Sequence, residues 1–275
     1  MFHSLPKQFL YCGYKAVTQF ADDVGTDKVL HGTAFVIAIG SSDLAIVTNR
    51  HMVDIDYKQP TSKYKNFKLR SIVISGRRDD DSLYRFSVAP ESPASYSANA
   101  LDDVAVLIRP RCQPLENMPE MKLFYHFGLN DLADDRFLTS ELVPFDVVAF
   151  AGFPEEHDKL SERPLIRGGR IASDPKFDFS ILGKPAGRCI AYEAFSHGGA
   201  SGSPVYAPAK GFRGIDGSRN GRLIGINAGH IDREFGQHAA LSYFYRSTVI
   251  LDILSKNGVP ISALLRNTSR VPDLE

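Results

Sequence analysis

The sequence predicts an all-β fold, either a barrel or a sandwich, with one helix near the C-terminus. Short β-branched runs, broken by Gly, Ser, Asn and Asp, recur from residue 33 onward and are typical of strands and turns. The runs form two series, separated at 110–140 by a looser stretch that carries three prolines. Few segments show apolar residues at helical spacing. Many short strands with few helical periods indicate a β protein built in two halves.

Each strand is predicted by its own β-branched run. The first half has predicted strands at 33–39, 44–49, 68–75, 83–88 and 103–108, and 15–20 fits either a strand or a short helix. The stretch at 110–140 is the predicted crossover between the halves. The second half has predicted strands at 146–154, 164–172, 188–195, 203–206, 222–228 and 239–245.

One helix is predicted over 248–256, where apolar residues recur at helical spacing. Ser247 is the predicted N-cap, because a serine hydroxyl can accept a hydrogen bond from a free N–H of the first turn. Asn257 and Gly258 form the predicted stop.

Length and composition describe an ordinary globular chain. Its 275 residues, 43% of them hydrophobic, suffice for a sizeable core. Lys plus Arg and Asp plus Glu number 32 each, so there is no overall basic field and we expect no nucleic-acid partner. The basic cluster between Lys63 and Arg78 precedes three aspartates and fits a solvated strand and turn.

The cysteines and the N-terminus bear on the compartment. Cys12, Cys112 and Cys189 are odd in number and widely spaced, unlike the disulfide framework of a secreted domain, which favours a reducing compartment. The N-terminus has no apolar run typical of a signal peptide, and no stretch reaches the roughly eighteen apolar residues of a membrane span. We therefore expect a cytoplasmic protein without a membrane partner.

The stretch from Ser196 to Val205 is the strongest candidate for chemistry. Ser201 lies between Gly199 and Gly202, and this flexible backbone can aim the N–H groups of Gly199 and Ser201 at one point. Paired N–H donors of this kind form the oxyanion hole that acyl transfer requires. A serine hydroxyl also needs a histidine base and a carboxylate to orient that base.

Two upstream stretches supply these groups. His51 directly follows a β-branched run, and an Asp102-Asp103 pair heads another. Alternation along a strand does not separate the two aspartates, because each heads one face. Ser196 and Ser203 are the competing nucleophiles, and Cys189 is disfavoured because no glycine loop surrounds it.

The three stretches resemble the His, Asp and Ser motifs of the trypsin-like (chymotrypsin-fold) serine peptidases, in that order. The segment before and after His51 resembles the family's Thr-x-x-His-x-Val. The family's acid is followed by apolar-Ala-apolar-Leu, which selects Asp103 over Asp102. The resemblance implies His51 as general base, Asp103 as its orienter and Ser201 as nucleophile, with Gly199 and Ser201 as oxyanion donors.

The resemblance also implies the architecture, a double β-barrel of the chymotrypsin type with a C-terminal helix. We expect residues 1–125 to form the barrel half that carries His51 and Asp103, 126–245 the half that carries Ser201, and 246–275 the helix and tail.

The closest resemblance is to the non-zymogen branches, such as the high-temperature-requirement proteases and the glutamyl endopeptidases. Ala200 stands where zymogen-type members carry an aspartate that pairs with a new N-terminus. The segments 150–154 and 223–227 also resemble these branches, and the likeness spans roughly 30–255.

The substrate site is expected on both sides of the nucleophile. An edge formed by Asn227, Ala228 and Gly229 should pair with an extended substrate. The resemblance places Phe195 at the base of the primary pocket, which disfavours cleavage after Lys or Arg. The rest of the pocket is expected from Ser196, His197, Gly198, 228–230 and 238–242, and the histidines at 197, 230 and 238 would favour acidic or polar side chains.

The sequence therefore predicts a serine endopeptidase that acts on polypeptides and needs no cofactor. No Cys or His pair has structural zinc spacing, so no metal site is expected. The alternative is a catalytically silent or autoinhibited binding protein of the same fold that requires a regulatory protein partner.

Overall fold

The computed structural model describes residues 5, 7–59, 61–115, 123–211, 218–232 and 238–261. Among these residues the first part of the chain forms nine strands: β1 (Tyr14–Ala21), β2 (Asp27–Ala38), β3 (Leu44–Thr48), β4 (Lys68–Arg77), β5 (Leu83–Val88), β6 (Ala94–Tyr96), β7 (Ala105–Ile108), β8 (Cys112–Pro114) and β9 (Phe127–Gly128). Eight more follow: β10 (Val147–Gly152), β11 (Leu165–Ile171), β12 (Ser180–Ile181), β13 (Lys184–Pro185), β14 (Cys189–Glu193), β15 (Pro204–Ala207), β16 (Arg222–Asp232) and β17 (His238–Arg246).

The first nine strands form one curled sheet in the order β6-β7-β3-β2-β1-β4-β5-β8, and β9 joins it as a parallel neighbour of β2. Along β1 every second residue is buried, namely Tyr14, Ala16, Thr18 and Phe20. Successive side chains of a strand point to opposite faces, so this alternation places one face of β1 on the core. The segment 15–20 is thus part of a strand.

Six later strands close into a barrel in the order β10-β11-β14-β17-β16-β15. Its core contains three fully buried aromatic rings in edge-to-face contact. The ring of Tyr192 lies 5.9 Å from that of Phe150 and 5.6 Å from that of Phe244. This arrangement adds a favourable ring–ring interaction to the burial of apolar area.

The helix α1 (Ser247–Lys256) packs its apolar face against both sheets. Val249, Ile250 and Leu254 belong to one buried cluster with Val106 of the curled sheet and Ile226 of the barrel. The predicted stop is confirmed, since Asn257 is the C-cap and Gly258 has a φ of +78°. The prediction of Ser247 as N-cap was wrong. Arg246 holds that position, and the Ser247 hydroxyl donates instead to the Ala133 carbonyl at 2.6 Å.

The predicted all-β fold with one C-terminal helix is confirmed for the described residues. Within them, no helix has the length and apolar character needed to cross a bilayer.

Candidate active site

His51 lies in a short turn, Arg50–Met52, that directly follows β3. The preceding residue, Asn49, is fully buried, and its side-chain amide donates to the backbone carbonyl of Asp103 at 2.7 Å. Met52 is buried as well. The turn is therefore anchored on both sides of His51, which leaves the imidazole one-third exposed at the surface of the curled sheet.

Asp103 holds His51 through both of its carboxylate oxygens. Oδ2 lies 2.7 Å from Nδ1 of the His51 ring, and Oδ1 accepts the His51 backbone N–H at 3.0 Å. A carboxylate at Nδ1 favours the tautomer with the proton on Nδ1, so Nε2 is the ring nitrogen left for a reacting group. The pair has the geometry of an oriented general base.

The neighbouring carboxylate, Asp102, points the other way. Its side chain is fully buried and accepts hydrogen bonds from the backbone N–H and Nε of Arg188, at 2.8 and 3.1 Å, and from the Ser97 hydroxyl at 2.7 Å. Both of its oxygens are therefore used in a structural contact, away from His51.

Ser201 lies in a tight loop that leads into β15. The glycines on either side, Gly199 and Gly202, have φ values of +86° and +88°, in the left-handed region that favours glycine. Among the described residues, the backbone N–H groups of Gly199 and Ser201 donate to no protein acceptor. The loop thus offers two donors to a ligand oxygen.

The Ser201 hydroxyl points toward β16 in this structure. Its Oγ donates to the carbonyl of Ala228 at 3.4 Å, and within the described residues it makes no hydrogen bond to His51. Hydrogen bonds between catalytic groups are often long or misaligned in unliganded enzymes and tighten only with substrate.

Thr33 of β2 connects the nucleophile loop to the curled sheet by hydrogen bonds. No sequence motif indicated this role. Its N–H donates to the Ser201 carbonyl at 2.8 Å, and its hydroxyl donates to the Gly199 carbonyl at 2.9 Å. The same hydroxyl accepts the N–H of Phe153 at 3.0 Å. A Cβ on Gly202 would lie 1.9 Å from the Thr33 carbonyl, so the two segments are in direct backbone contact. Thr33 thereby connects the Ser201 loop to the sheet that carries His51 and Asp103.

Asn227 has an internal role, which corrects its expected place on the substrate-binding edge. Its side chain is fully buried and donates to the Ser196 hydroxyl at 2.8 Å and the Ala200 carbonyl at 2.9 Å. Its backbone groups are bonded to Gly202 and Ser203. No backbone group of Asn227 remains for an extended substrate.

The edge suited to a substrate begins one residue later. β15 pairs with β16 only as far as Ile226, so Ala228 and Gly229 have no neighbour on that side among the described strands, while Gly229 pairs with Tyr243 of β17 on the other side. A strand edge that lacks a neighbour on one side can accept an extended peptide by strand addition.

The residues just before the nucleophile loop do not enclose a pocket as expected. Phe195 is 56% exposed and its carbonyl accepts from Arg167, so it does not form a buried base as expected. Ser196 is buried beneath the loop, while the His197 ring is paired with Glu156 at 2.8 Å. The side chain of His238 lies outside the described residues.

No group of three His, Cys, Asp or Glu side chains arranged to hold a metal ion occurs in the described part of the chain.

Solved structures with a similar fold exist, although no match is found at the level of sequence. No protein-family model and no curated protein matches the sequence. Solved structures do match. The protease Anisep from Arthrobacter nicotinovorans matches with a TM-score of 0.53 and 12% identity, and the match covers 90% of this chain and 96% of that one. The thermostable serine protease AL20 from an extremophilic microorganism matches with a TM-score of 0.51 and 12% identity, and the match covers 93% of this chain and 100% of that one. The chain also matches Deg5, with a TM-score of 0.50, 13% identity and coverage of 90% and 88%.

The chain has the chymotrypsin fold.

In this chymotrypsin fold the candidate residues come from both sheets. His51 and Asp103 follow and precede strands of the curled sheet, whereas Ser201 precedes a strand of the closed barrel. The site therefore lies where the two sheets meet, and the hydrogen bonds of Thr33 cross that junction. The fold by itself carries no activity, because one fold serves many functions.

The electrostatics of the site predict an acid-dependent loss of stability. Burial raises the pKa of the Asp103 carboxyl, but the charge and hydrogen bonds of His51 and the charge of Lys58 outweigh it and hold that pKa below its usual 3.8. A folded-state pKa below the unfolded value means that the carboxylate stabilises the fold above pH 3.8, and that this contribution is lost as the pH falls through the folded pKa.

Chemical unfolding of the wild type and of Asp103→Asn, from pH 5.5 down to pH 3, measures this contribution. We expect the free energy of unfolding of Asp103→Asn to fall less steeply with acid than that of the wild type. Asp23→Asn, at a surface aspartate, is the control and should follow the wild type. Equal slopes for all three proteins would contradict the role of Asp103 in acid stability.

Proposed function

We propose that the chain is a serine endopeptidase that cleaves polypeptides through an acyl-enzyme on Ser201. His51 takes the Ser201 proton as Oγ attacks the scissile carbonyl carbon, and Asp103 stabilises the imidazolium that forms. The N–H groups of Gly199 and Ser201 bind the oxygen that becomes negative. His51 then protonates the leaving amine as the C–N bond breaks, and water activated by His51 releases the acyl half.

This proposal rests on the two hydrogen bonds between Asp103 and His51, at 2.7 Å to the ring Nδ1 and at 3.0 Å to the backbone N–H. A histidine fixed by one carboxylate at both its ring and its backbone has little orientational freedom. Such preorganisation is what a general base needs, because misplacement of a catalytic group is costly to the rate.

The substrate itself supplies the step that completes the site. A peptide added to the edge at 228–230 brings a backbone N–H to the Ala228 carbonyl, the group that holds the Ser201 hydroxyl at 3.4 Å. We expect the substrate N–H to compete with the Ser201 hydroxyl for that carbonyl, and rotation about the Cα–Cβ bond of Ser201 then to direct the hydroxyl toward His51 Nε2. The hydroxyl is thus activated when the substrate is bound.

Labelling with a fluorophosphonate probe, followed by mass mapping, tests the proposed function. We expect one adduct, on Ser201, that Ser201→Ala abolishes. Ser203→Ala is the matched control, because Ser203 lies two residues away but is fully buried and should have no part in the reaction. An adduct on any other residue, or labelling that survives Ser201→Ala, would contradict the proposal.

A second candidate is a binding protein of the same fold that is inactive until a protein partner engages it. The observation that favours it is the Ser201 hydroxyl, which bonds to Ala228 instead of His51 in the unliganded chain. In the labelling experiment this candidate gives a folded protein that does not react with the probe.

A further inference from the structure

A cavity adjoins the nucleophile loop, and none of the residues of the β16 edge lines it. Its volume is about 550 Å³, and it is bounded by four segments: β1 at Lys15, the first part of β2, the chain after β10, and the loop glycines. Its lining residues include Lys28, His31, Phe153, His157, Lys159 and Gly199. The cavity therefore shares Gly199 with the proposed oxyanion hole.

The position of the cavity determines which part of a substrate enters it. On the proposed function, the acyl half of the substrate lies along Ala228–His230. Gly32 of β2 approaches the Ser201 carbonyl from the cavity side, since a Cβ on Gly32 would lie 3.3 Å from that oxygen. The residues that follow the scissile bond leave on this side, along β2.

The charged groups of the cavity are mainly cationic. Lys28 and Lys159 are exposed and form no ion pair among the described residues, whereas Lys15 is paired with Glu162 at 3.3 Å. One carboxylate, Glu155, lies in the wall close to Gly198. The cavity thus has free positive charge away from the loop and a negative charge beside it.

The apolar part of the wall is held in place by fixed contacts. The His157 ring donates from Nδ1 to the Pro154 carbonyl at 2.7 Å and stacks edge-on against Phe153, with ring centres 5.3 Å apart. The combination of a fixed aromatic wall and free ammonium groups suits a short peptide that carries a carboxylate.

We propose that this cavity is a carboxylate-binding subsite for the leaving segment of the substrate. The inference rests on the proposed peptidase function. Lys28 lies four positions before Gly32 on the extended strand β2, a distance of about 13 Å. The carboxylate is therefore expected at the second to fourth residue after the scissile bond, either on an Asp or Glu side chain or as the C-terminus of a short segment.

Binding of product-like peptides tests the subsite without requiring turnover. Ser201→Ala protein is titrated by calorimetry with Ala-Ala-Glu-Ala amide, Ala-Ala-Gln-Ala amide and Ala-Ala-Ala-Ala with a free carboxylate. We expect a carboxylate to tighten binding about five-fold over the glutamine peptide, the scale of two partly exposed charge pairs. The glutamate peptide reports a side-chain carboxylate and the free-ended peptide a terminal one.

Matched lysine variants locate the effect. Adding Lys28→Gln together with Lys159→Gln should bring the affinity ratio of acidic to neutral peptides close to one, whereas Lys184→Gln, at an exposed lysine on β13, should leave the ratio unchanged. Equal binding of acidic and neutral peptides, or a ratio that does not respond to the double variant, would overturn the subsite. Because no bond is cut in this assay, failure of the peptidase proposal is detected separately, by the labelling of Ser201.

Cleavage of a random peptide library by the unmodified chain gives the second readout. We expect Asp and Glu to be enriched two to four residues after the cut, and this enrichment to disappear with the double lysine variant. Enrichment at other positions alone would contradict the placement along β2.

Discussion

On the proposed function, Asp103→Asn is expected to lower kcat about 10⁴-fold and to leave the chain folded. An amide at this position offers an N–H₂ donor as well as an oxygen, so it can stabilise the wrong tautomer of His51, and the loss expected for an amide in place of a catalytic-triad aspartate is of this size. The measurement is turnover of a fluorescent protein substrate together with the rate of fluorophosphonate labelling.

Asp102→Asn is the control, and we expect it to lower stability and leave kcat unchanged. This variant removes a fully buried charge from the contact with Arg188, so we expect the free energy of unfolding to fall by about 3 kcal/mol. The folded fraction should retain its kcat. If Asp102→Asn abolished turnover while Asp103→Asn spared it, the assignment of the two carboxylates would be reversed.

Thr33→Val is expected to lower kcat by about 100-fold through loss of the hydroxyl alone. Valine matches threonine closely in shape but breaks the hydrogen bonds to the Gly199 carbonyl and from the Phe153 N–H. The nucleophile loop then loses one of its anchors, and misplacement of catalytic groups by about 1 Å costs rates on this scale.

Thr33→Ser tests whether the hydroxyl is responsible, because it restores the donor and acceptor and removes only a methyl group. We expect it to recover most of the wild-type kcat. Since Thr33 is fully buried, both variants are compared at equal folded fractions, determined by chemical unfolding. A serine variant as impaired as the valine variant would show that packing, not hydrogen bonding, accounts for the effect.

The sequence predicted the strands of four or more residues, because each of these has a local signal, whereas the two- and three-residue strands β6, β8, β9, β12 and β13 were not predicted. β-branched runs and alternating apolar residues depend on neighbours in sequence, and the predicted segments at 44–49 and 83–88 coincide with β3 and β5 to within one residue. The error at Ser247 has a different origin. Its hydroxyl is taken by the Ala133 carbonyl, a contact across 114 residues that no local pattern reveals.

The residues of the candidate site also fall into those that a local motif predicts and those whose role depends on distant contacts. The motifs predicted His51, Asp103 and Ser201 as site residues, since each lies next to a strand with a recognisable pattern. The roles of Asn227 and Phe195 were misplaced, because sequence does not tell which groups of a loop face inward. Thr33 was missed, because threonine in a β-branched run is the ordinary choice for a strand. Its hydrogen-bond partner Gly199 lies 166 residues away in sequence, so only the folded structure shows its role.

The long separation of Thr33 and Gly199 in sequence also affects the order in which the site forms during synthesis. During synthesis the curled sheet leaves the ribosome first, with Thr33, His51 and Asp103, while the segment that contains Ser201 is still within the exit tunnel or not yet translated. The contacts of Thr33 with the Gly199 and Ser201 carbonyls form only when this later segment packs against β2. On the proposed function, a nascent chain therefore has no shaped catalytic site with which to cut itself or its neighbours on the polysome. On the proposed function, the order of these segments along the chain delays catalysis until the barrel has been synthesised.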